Sequence, residues 1–263
     1  MSFSLHTEIT NQEIKSIIDF LQDTLKQKGF KKAIFGLSGG IDSAVVAVLC
    51  KKAFNSNILA VYMPSKNSHS SNLSNLKAFC KDFEIPLQIY PIYDYETIFK
   101  QQNPDTLRLG NFYARMRMTL LYDLSQKNNA LVIGTSNKSE LTLGYGTLYG
   151  DLACAINPIA PFYKTQIFKI AKLLNLPQYF LNKAPSADLY PGQSDEKEIG
   201  YNYETLDPLL DAIYCKYHSL DNLLNNNYKD LIDQGFDSKM VEDIIHRIQK
   251  NIFKQKPPVF FER

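Results

Sequence analysis

Apolar residues at Ile14, Ile17, Ile18, Leu21 and Leu25 fall on one face of a helix. Thr10-Asn11-Gln12-Glu13 stands in front of that face. It is a capping-box pattern, in which side chains at the first and fourth positions each satisfy a backbone N–H of the opening turn. Gly29 is placed to close the same helix as its C′ residue. The pattern then changes to short apolar runs over residues 33–37, 58–63, 87–91 and 131–134. Runs of that length predict buried strands. Helical stretches separate them: one after Asp42, one over residues 72–83 and one over residues 111–124. This alternation predicts an α/β fold, a doubly wound and mainly parallel sheet with helices on both faces and right-handed crossovers. Ligands of such sheets bind beyond the C-terminal ends of the strands, near the switch in strand order. Residues from about 206 to 250 read as helical and polar, and no chemistry is assigned to them.

Composition narrows the class. A chain of 263 residues with 44% hydrophobic content fits one globular enzyme domain over residues 1–263. A net charge of +2 gives no case for a nucleic-acid partner. Cys50, Cys80, Cys154 and Cys215 are far apart and form no Cys-x-x-Cys pair. They read as reduced core residues, which fits a cytoplasmic location. The start Met1-Ser2-Phe3-Ser4-Leu5-His6 has neither a basic region nor a long apolar stretch, so no signal peptide or membrane span is expected.

The candidate chemistry begins at Gly36-Leu37-Ser38-Gly39-Gly40-Ile41-Asp42-Ser43. This segment lies between the run Ala33-Ile34-Phe35 and the buried-helix pattern Ala44-Val45-Val46-Ala47-Val48-Leu49. Free N–H groups at a helix start receive anions, and Gly39 and Gly40 let the backbone approach a phosphate closely. Asp42 suits such a place only if a cation separates it from the phosphate. The turn therefore points to a nucleotide with its metal. It lacks the Gly-Lys-Ser/Thr of a Walker loop and the three-glycine spacing of a dinucleotide fingerprint. It resembles the pyrophosphate-binding loop of the N-type ATP pyrophosphatases, whose fold is of the adenine nucleotide alpha hydrolase-like type.

A second constellation runs Leu131-Val132-Ile133-Gly134-Thr135-Ser136-Asn137-Lys138-Ser139-Glu140 and then Gly144-Tyr145-Gly146-Thr147-Leu148-Tyr149-Gly150-Asp151. Glu140 offers a second hard oxygen ligand of the kind Mg²⁺ prefers. Here the chain resembles the NAD synthetase family, in which Gly-Thr is followed by Glu five residues after Thr, and Phe/Tyr-Gly-Asp ends eleven residues later. Gly110-Asn111-Phe112-Tyr113-Ala114-Arg115-Met116-Arg117-Met118 is similar to the family's Asn-x-x-Ala-Arg-x-Arg-Met segment. Asn157-Pro158-Ile159 with Tyr163-Lys164-Thr165, Ala184-Pro185-Ser186-Ala187-Asp188-Leu189 and Gly192-Gln193-Ser194-Asp195-Glu196 match further family segments in order.

The resemblance implies a C–N ligase. ATP adenylates the nicotinate carboxylate of deamido-NAD and pyrophosphate leaves; ammonia then displaces AMP to give NAD. By matching position, Gly36 to Ser43, with Ser38, Gly40 and Ser43 foremost, would hold the ATP phosphates. Thr135, Lys164 and Ser186 would complete the ATP site. Asp42 and Glu140 would bind Mg²⁺, Asp42 and Lys164 would be catalytic, and Arg115 would contact deamido-NAD. Leu148 and Ala155 depart from the Lys and Asp of many members, and Lys254-Gln255-Lys256 stands where His-Lys is usual. The first strand begins near residue 32, leaving room for one helix before it. Direct use of ammonia, without an N-terminal glutaminase domain, is therefore expected. The family is typically a homodimer, with residues 111–124 a candidate contributor to the interface. The alternative is another enzyme on the same loop, such as a tRNA-modifying one, but no RNA-binding surface or catalytic cysteine supports it. A non-enzymatic nucleotide-binding module would leave Asp42, Glu140 and Lys164 without a role.

Overall fold

The computed structural model describes residue 5 and residues 8–66, 68, 70–102, 104–186, 192–217, 228–256 and 261. Met1 to Ser4 and the matched Ala187-Asp188-Leu189 lie outside the described residues, as do residues 218–227 of the stretch read as helical and polar.

Helix α1 (Asn11–Gln27) forms as its pattern requires. Glu13 N–H donates to Thr10 Oγ1 at 3.4 Å, and Thr10 N–H donates to Glu13 Oε2 at 2.8 Å. It ends in a Schellman turn: Gly29 has φ +76°, and Phe30 N–H reaches Leu25 O at 3.1 Å. Strand β1 (Lys32–Gly36), helix α2 (Ile41–Phe54), strand β2 (Ile58–Tyr62), helix α3 (Ser70–Asp82) and strand β3 (Leu87–Ile89) follow. Then come α4 (Tyr93–Lys100), α5 (Thr106–Asn128) and β4 (Ala130–Val132).

All strand pairs are parallel, in the order β3-β2-β1-β4. Ala33 faces Ile58, Lys32 faces Ala130 and Ala60 faces Leu87. The chain progresses to one side from β1 and returns to its other side with β4, so the switch in strand order lies at the end of β1. Ala33 and Phe35 enter an apolar core with α1 and α2, while Ile34 points to the opposite face against Tyr113, Leu121 and Leu124 of α5. Helices therefore cover both faces. Helix α2 buries Ile41 and every residue from Ser43 to Cys50, as expected of a helix apolar all round.

Some expectations need correction. Strand β4 ends at Val132, two residues short of the apolar run. Ile133 continues only as an isolated bridge to Ile156, and a Cβ on Gly134 would sit 2.6 Å from Cys154 Sγ. Helix α5 starts earlier than residue 111 because Asp105 caps it, accepting from Arg108 N–H at 2.7 Å. The stretch 206–250 is not simply polar. Within α6 (Lys138–Leu143), α7 (Lys164–Leu173), α8 (Gln178–Asn182), α9 (Asp195–Ile199), α10 (Tyr203–Tyr217), α11 (Lys229–Asp233) and α12 (Ser238–Asn251), helices α10 and α12 carry strong apolar faces. Leu206, Leu209, Leu210 and Ile213 meet Val241, Ile244, Ile245 and Ile248 in a second core. All four cysteines are free, but Cys215 is exposed and Cys154 half-buried rather than in the core. No helix among the described residues is long and apolar enough to cross a membrane.

Candidate active site

The glycine turn leaves β1 and enters α2 at the sheet's switch point. Two hydroxyls fold it upon itself. Ser38 N–H donates to Ser43 Oγ at 3.2 Å, Gly40 N–H to Ser38 Oγ at 3.2 Å, and Ser43 Oγ–H to Gly40 O at 2.9 Å. Gly39 has φ +88°, and the Asn72 side chain lies 3.4 Å from where a Cβ would stand. The positive φ favours glycine there, while the Asn72 contact is an ordinary packing distance. Gly40 caps α2 without a side-chain bond, so the first turn of a 14-residue helix keeps its amides available to an anion.

Asp42, in that first turn, meets two residues from far along the chain. Its Oδ2 accepts from Lys164 Nζ at 2.6 Å and its Oδ1 from Asn137 Nδ2 at 2.8 Å. Lys164 Nζ also lies 3.3 Å from Glu140 Oε1. Asn137 caps α6 reciprocally with Glu140: Glu140 N–H donates to Asn137 Oδ1 at 3.0 Å and Asn137 N–H to Glu140 Oε2 at 3.2 Å. One asparagine thus fixes both carboxylates. The Lys164 side chain is 3% exposed, against 14% for Asp42 and 17% for Glu140, so the carboxylates face the solvent side of a buried cation.

Burial, reinforced by the charges of Asp42 and Asp195 and opposed by Lys164, pushes the Glu140 carboxyl up to about 8. Burial pushes the Lys164 ammonium down, but Asp42, Glu140 and Asp195 outweigh it and hold the amine charged well above the usual lysine range. Beneath them lies a buttress. Lys164 N–H donates to Ser139 Oγ at 2.9 Å, and that hydroxyl donates to Asp207 Oδ1 at 2.6 Å. Asp207 Oδ2 accepts from Thr165 N–H at 2.8 Å and Thr165 Oγ1–H at 2.7 Å.

These groups open on a cleft of about 650 Å³. Gly36, Leu37, Ser38, Gly40, Asp42, Ser43, Thr135, Glu140, Lys164 and Ser186 line it, so the structure brings together most of the residues singled out in the sequence. Gly39 and Ile41 do not line it; Gly39 supplies the turn's geometry, and Ile41 is buried in the core. Arg115 does not line it either. It is exposed on α5 and donates from Nε to Leu148 O at 3.3 Å. Two positions further, Arg117 lines the cleft and donates from Nε to Met63 O at 3.0 Å. Residues two apart on a helix face nearly opposite ways, so one side of α5 can present only one of the two arginines to the cleft. Lys254 also lines it, donating to the carbonyls of Gly144 at 2.8 Å and Gly146 at 3.0 Å.

Sequence reasoning missed Asn137, Arg117, Asp195 and Asp207. Asn137 was visible in principle, because Asn-x-x-Glu is itself a capping-box pattern. Arg117 stood in the quoted motif and needed only the helical period. Asp207 carried no local signal. Among the described residues no three His, Cys, Asp or Glu groups converge on one point. The site offers two carboxylates on one side of an anion-receiving turn. That donor set fits Mg²⁺, which takes one or two carboxylates and completes its shell with phosphate and water.

Comparison with known proteins identifies the family. The sequence profile of the NAD synthase family matches residues 13–258. The chain is 48% identical over 251 residues to the NH(3)-dependent NAD(+) synthetase of Helicobacter pylori, covering 94% of each chain. Among solved structures it is similar to the NH3-dependent NAD synthetase of Campylobacter jejuni, with TM-score 0.80 and 38% identity over 97% of this chain and 100% of that one. It is also similar to NMN synthetase from Francisella tularensis, with TM-score 0.84 and 29% identity over the same shares. With a parallel sheet of the adenine nucleotide alpha hydrolase-like type and a glycine turn set against Asp42, Glu140 and Lys164, the chain belongs to the NAD synthase family.

Proposed function

We propose that the cleft amidates deamido-NAD to NAD with ATP and ammonia, through an acyl-adenylate, releasing AMP and pyrophosphate. The observation that carries this reading is the convergence of Asp42, Glu140 and Lys164 on the turn that receives an anion. A carboxylate is a poor electrophile because its leaving group would be oxide, and adenylation supplies a better one. The α2 amides, Ser38 and Ser43 hold the phosphates in line for that transfer, with Thr135 and Ser186 completing the nucleotide site. Lys164 supplies a fixed positive charge where negative charge accumulates during attack at the α-phosphorus. Its own position is fixed by Asp42 and by the Ser139–Asp207 buttress, so little reorganisation is needed at the moment of reaction. Asp42 and Glu140 would hold Mg²⁺, which supplies Lewis-acid charge neutralisation on phosphate oxygens.

Residues 1–263 are read as a single synthetase domain using free ammonia in the cytoplasm. Arg115, outside the cleft, is read as a deamido-NAD contact made across a homodimer through α5. Sedimentation of the purified protein as a dimer, and a monomer after charged substitution on α5, is the expected result for that part. The reaction is tested by incubating the protein with ATP, Mg²⁺, ammonium and deamido-NAD. NAD, AMP and pyrophosphate are expected in equal amounts, and NAD without AMP would overturn the reading. Glutamine in place of ammonium is expected to be used poorly. Nicotinate mononucleotide in place of deamido-NAD tests whether the chain shares the activity for which the Francisella NMN synthetase is named.

A further inference from the structure

A peptide unit is planar and trans, so its C=O and its N–H point in opposite directions. In the unit between Gly39 and Gly40, the Gly40 N–H donates to Ser38 Oγ at 3.2 Å. Ser38 and Gly40 both line the cleft. The Gly39 carbonyl therefore points the other way, and there it accepts from Lys183 Nζ at 3.4 Å. One peptide plane is held at both ends, by a hydroxyl on its N–H and an ammonium on its oxygen. The two torsions that rotate this plane, ψ of Gly39 and φ of Gly40, both belong to glycines, which meet little steric resistance to such a turn. Rotation by half a revolution would present a carbonyl oxygen on the side that receives phosphate and withdraw an amide from it.

Lys183 is itself held in place. It follows α8, in extended backbone that ends the helix. Phe180 of α8 is fully buried, with its ring edge-on to Phe79 of α3 at 5.0 Å. Tyr179 Oη donates to Asn75 O, also on α3, at 3.0 Å. Lys183 Nζ adds a third tie to α3, donating to Asn72 Oδ1 at 3.4 Å. Asn72 is buried and packs against Gly39. The ammonium thus occupies a corner between α3, the end of α8 and the back of the glycine turn. A lysine suits that corner, because its three N–H donors serve several oxygens at once. Lys183 is half-buried and is not part of the cleft lining, whereas Ser186, three residues later, is.

We propose that Lys183 is a positioning residue for the phosphate step: from behind the turn it locks the Gly39–Gly40 peptide with its N–H towards the cleft. The inference rests on the ATP-dependent reaction proposed above, through its phosphate-binding part alone. Lys183 acts without touching the nucleotide. It removes the alternative in which the turn offers phosphate a carbonyl dipole of the wrong sign, so the amides are ordered before the anion arrives. It also ties the segment that carries Ser186 to the turn, so the two sides of the phosphate site move as one piece. The acid substrate and ammonia gain nothing from this lock. Its loss is therefore selective for ATP and for pyrophosphate.

The test pairs a binding measurement with steady-state kinetics. Calorimetry gives the Kd of magnesium pyrophosphate, and the full reaction gives KM for ATP and for deamido-NAD separately. In Lys183→Met the Kd for magnesium pyrophosphate and the KM for ATP are each expected to rise at least about tenfold, the scale of a lost hydrogen bond to a charged group. The KM for deamido-NAD is expected to stay near its wild-type value. Lys183→Arg, which keeps the charge and the N–H donors, is expected to recover most of the loss. A lysine that only supports the fold would lower the denaturation midpoint without this selectivity, and that result would overturn the lock. Unchanged pyrophosphate affinity in the folded variant, or an equal rise in both KM values, would overturn it too. If Lys183→Met does not fold, Lys183→Gln, which loses the charge and the reach, carries the same test. A wild-type protein that binds magnesium pyrophosphate but forms no NAD would overturn the proposed reaction, and the pyrophosphate arm would then decide the lock by itself.

Discussion

Lys164 concentrates the electrostatics of the site in one side chain. It is buried, and two carboxylates that are themselves mostly buried depend on it. Removing one partner of such a group costs more than the pair contributes, because the charge left behind cannot recover its water. Lys164→Met is therefore expected to lower the free energy of unfolding by about 3–5 kcal/mol and to abolish turnover. Chemical denaturation with parallel assay checks both. Asp42→Asn leaves Lys164 with Glu140, so its activity should collapse while its stability falls much less. Glu140 adds a pH dependence with a definite sign. Its carboxyl is raised from 4.5 to about 8, so the folded chain holds that proton more tightly than the unfolded one. The stability so gained is complete below the ordinary carboxylate value and is lost as pH rises through about 8. Without nucleotide, the melting temperature of the wild type should decline across that window, and that of Glu140→Gln should decline less.

Among the elements, those with strong local chemistry were the ones the sequence disclosed. Helix α1 was legible at both ends because its cap and its closing glycine act within a few residues. The glycine turn was legible for the same reason. The end of β4 was not, because beyond Ile133 the backbone turns from β1 to Ile156, Gly134 N–H donating to Ile156 O at 2.7 Å from 22 residues away. Nor was Asp207, whose partners Ser139 and Thr165 lie 68 and 42 residues earlier. Yet Asp207 joins α6, α7 and α10, and its removal would strand three donors, the buried Ser139 hydroxyl and two groups of the half-buried Thr165. Asp207→Ala is expected to cost about 1–3 kcal/mol or more, with a loss of kcat through displacement of Lys164. Ser139→Ala should cost less, since Asp207 keeps both bonds from Thr165. An unfolding series over the two variants orders these contributions, and equal costs would contradict the buttress. Arg115 and Arg117 show a different limit: a motif read residue by residue does not say which of two arginines a helix turns towards the cleft of its own chain.

At the scale of the whole molecule, the cleft lies where two apolar cores meet. The first packs α1 and α2 on the sheet, and the second joins α10 and α12. Helix α7 spans the junction: Tyr163, at its start, belongs to the second core and Ile167 to the first. Asp42 is carried by the first core, while Glu140 sits on α6, whose Leu143 packs in the second. Lys164 stands between them. A ligand that engages the glycine turn, Asp42 and Glu140 together must therefore hold the two cores to each other as well as to itself. Its stabilisation should spread beyond the residues it touches. At a hundred times its dissociation constant, a nucleotide binding only the folded chain adds about 2.7 kcal/mol. If the cores are coupled through the site, Mg²⁺ with ATP should slow amide exchange in α10 and α12 as well as in α2. In Asp42→Asn, where the bridge from the first core is weakened, protection should shrink to α2 and the glycine turn. Protection confined to α2 in the wild type would mean that the second core only walls the cleft and takes no part in binding.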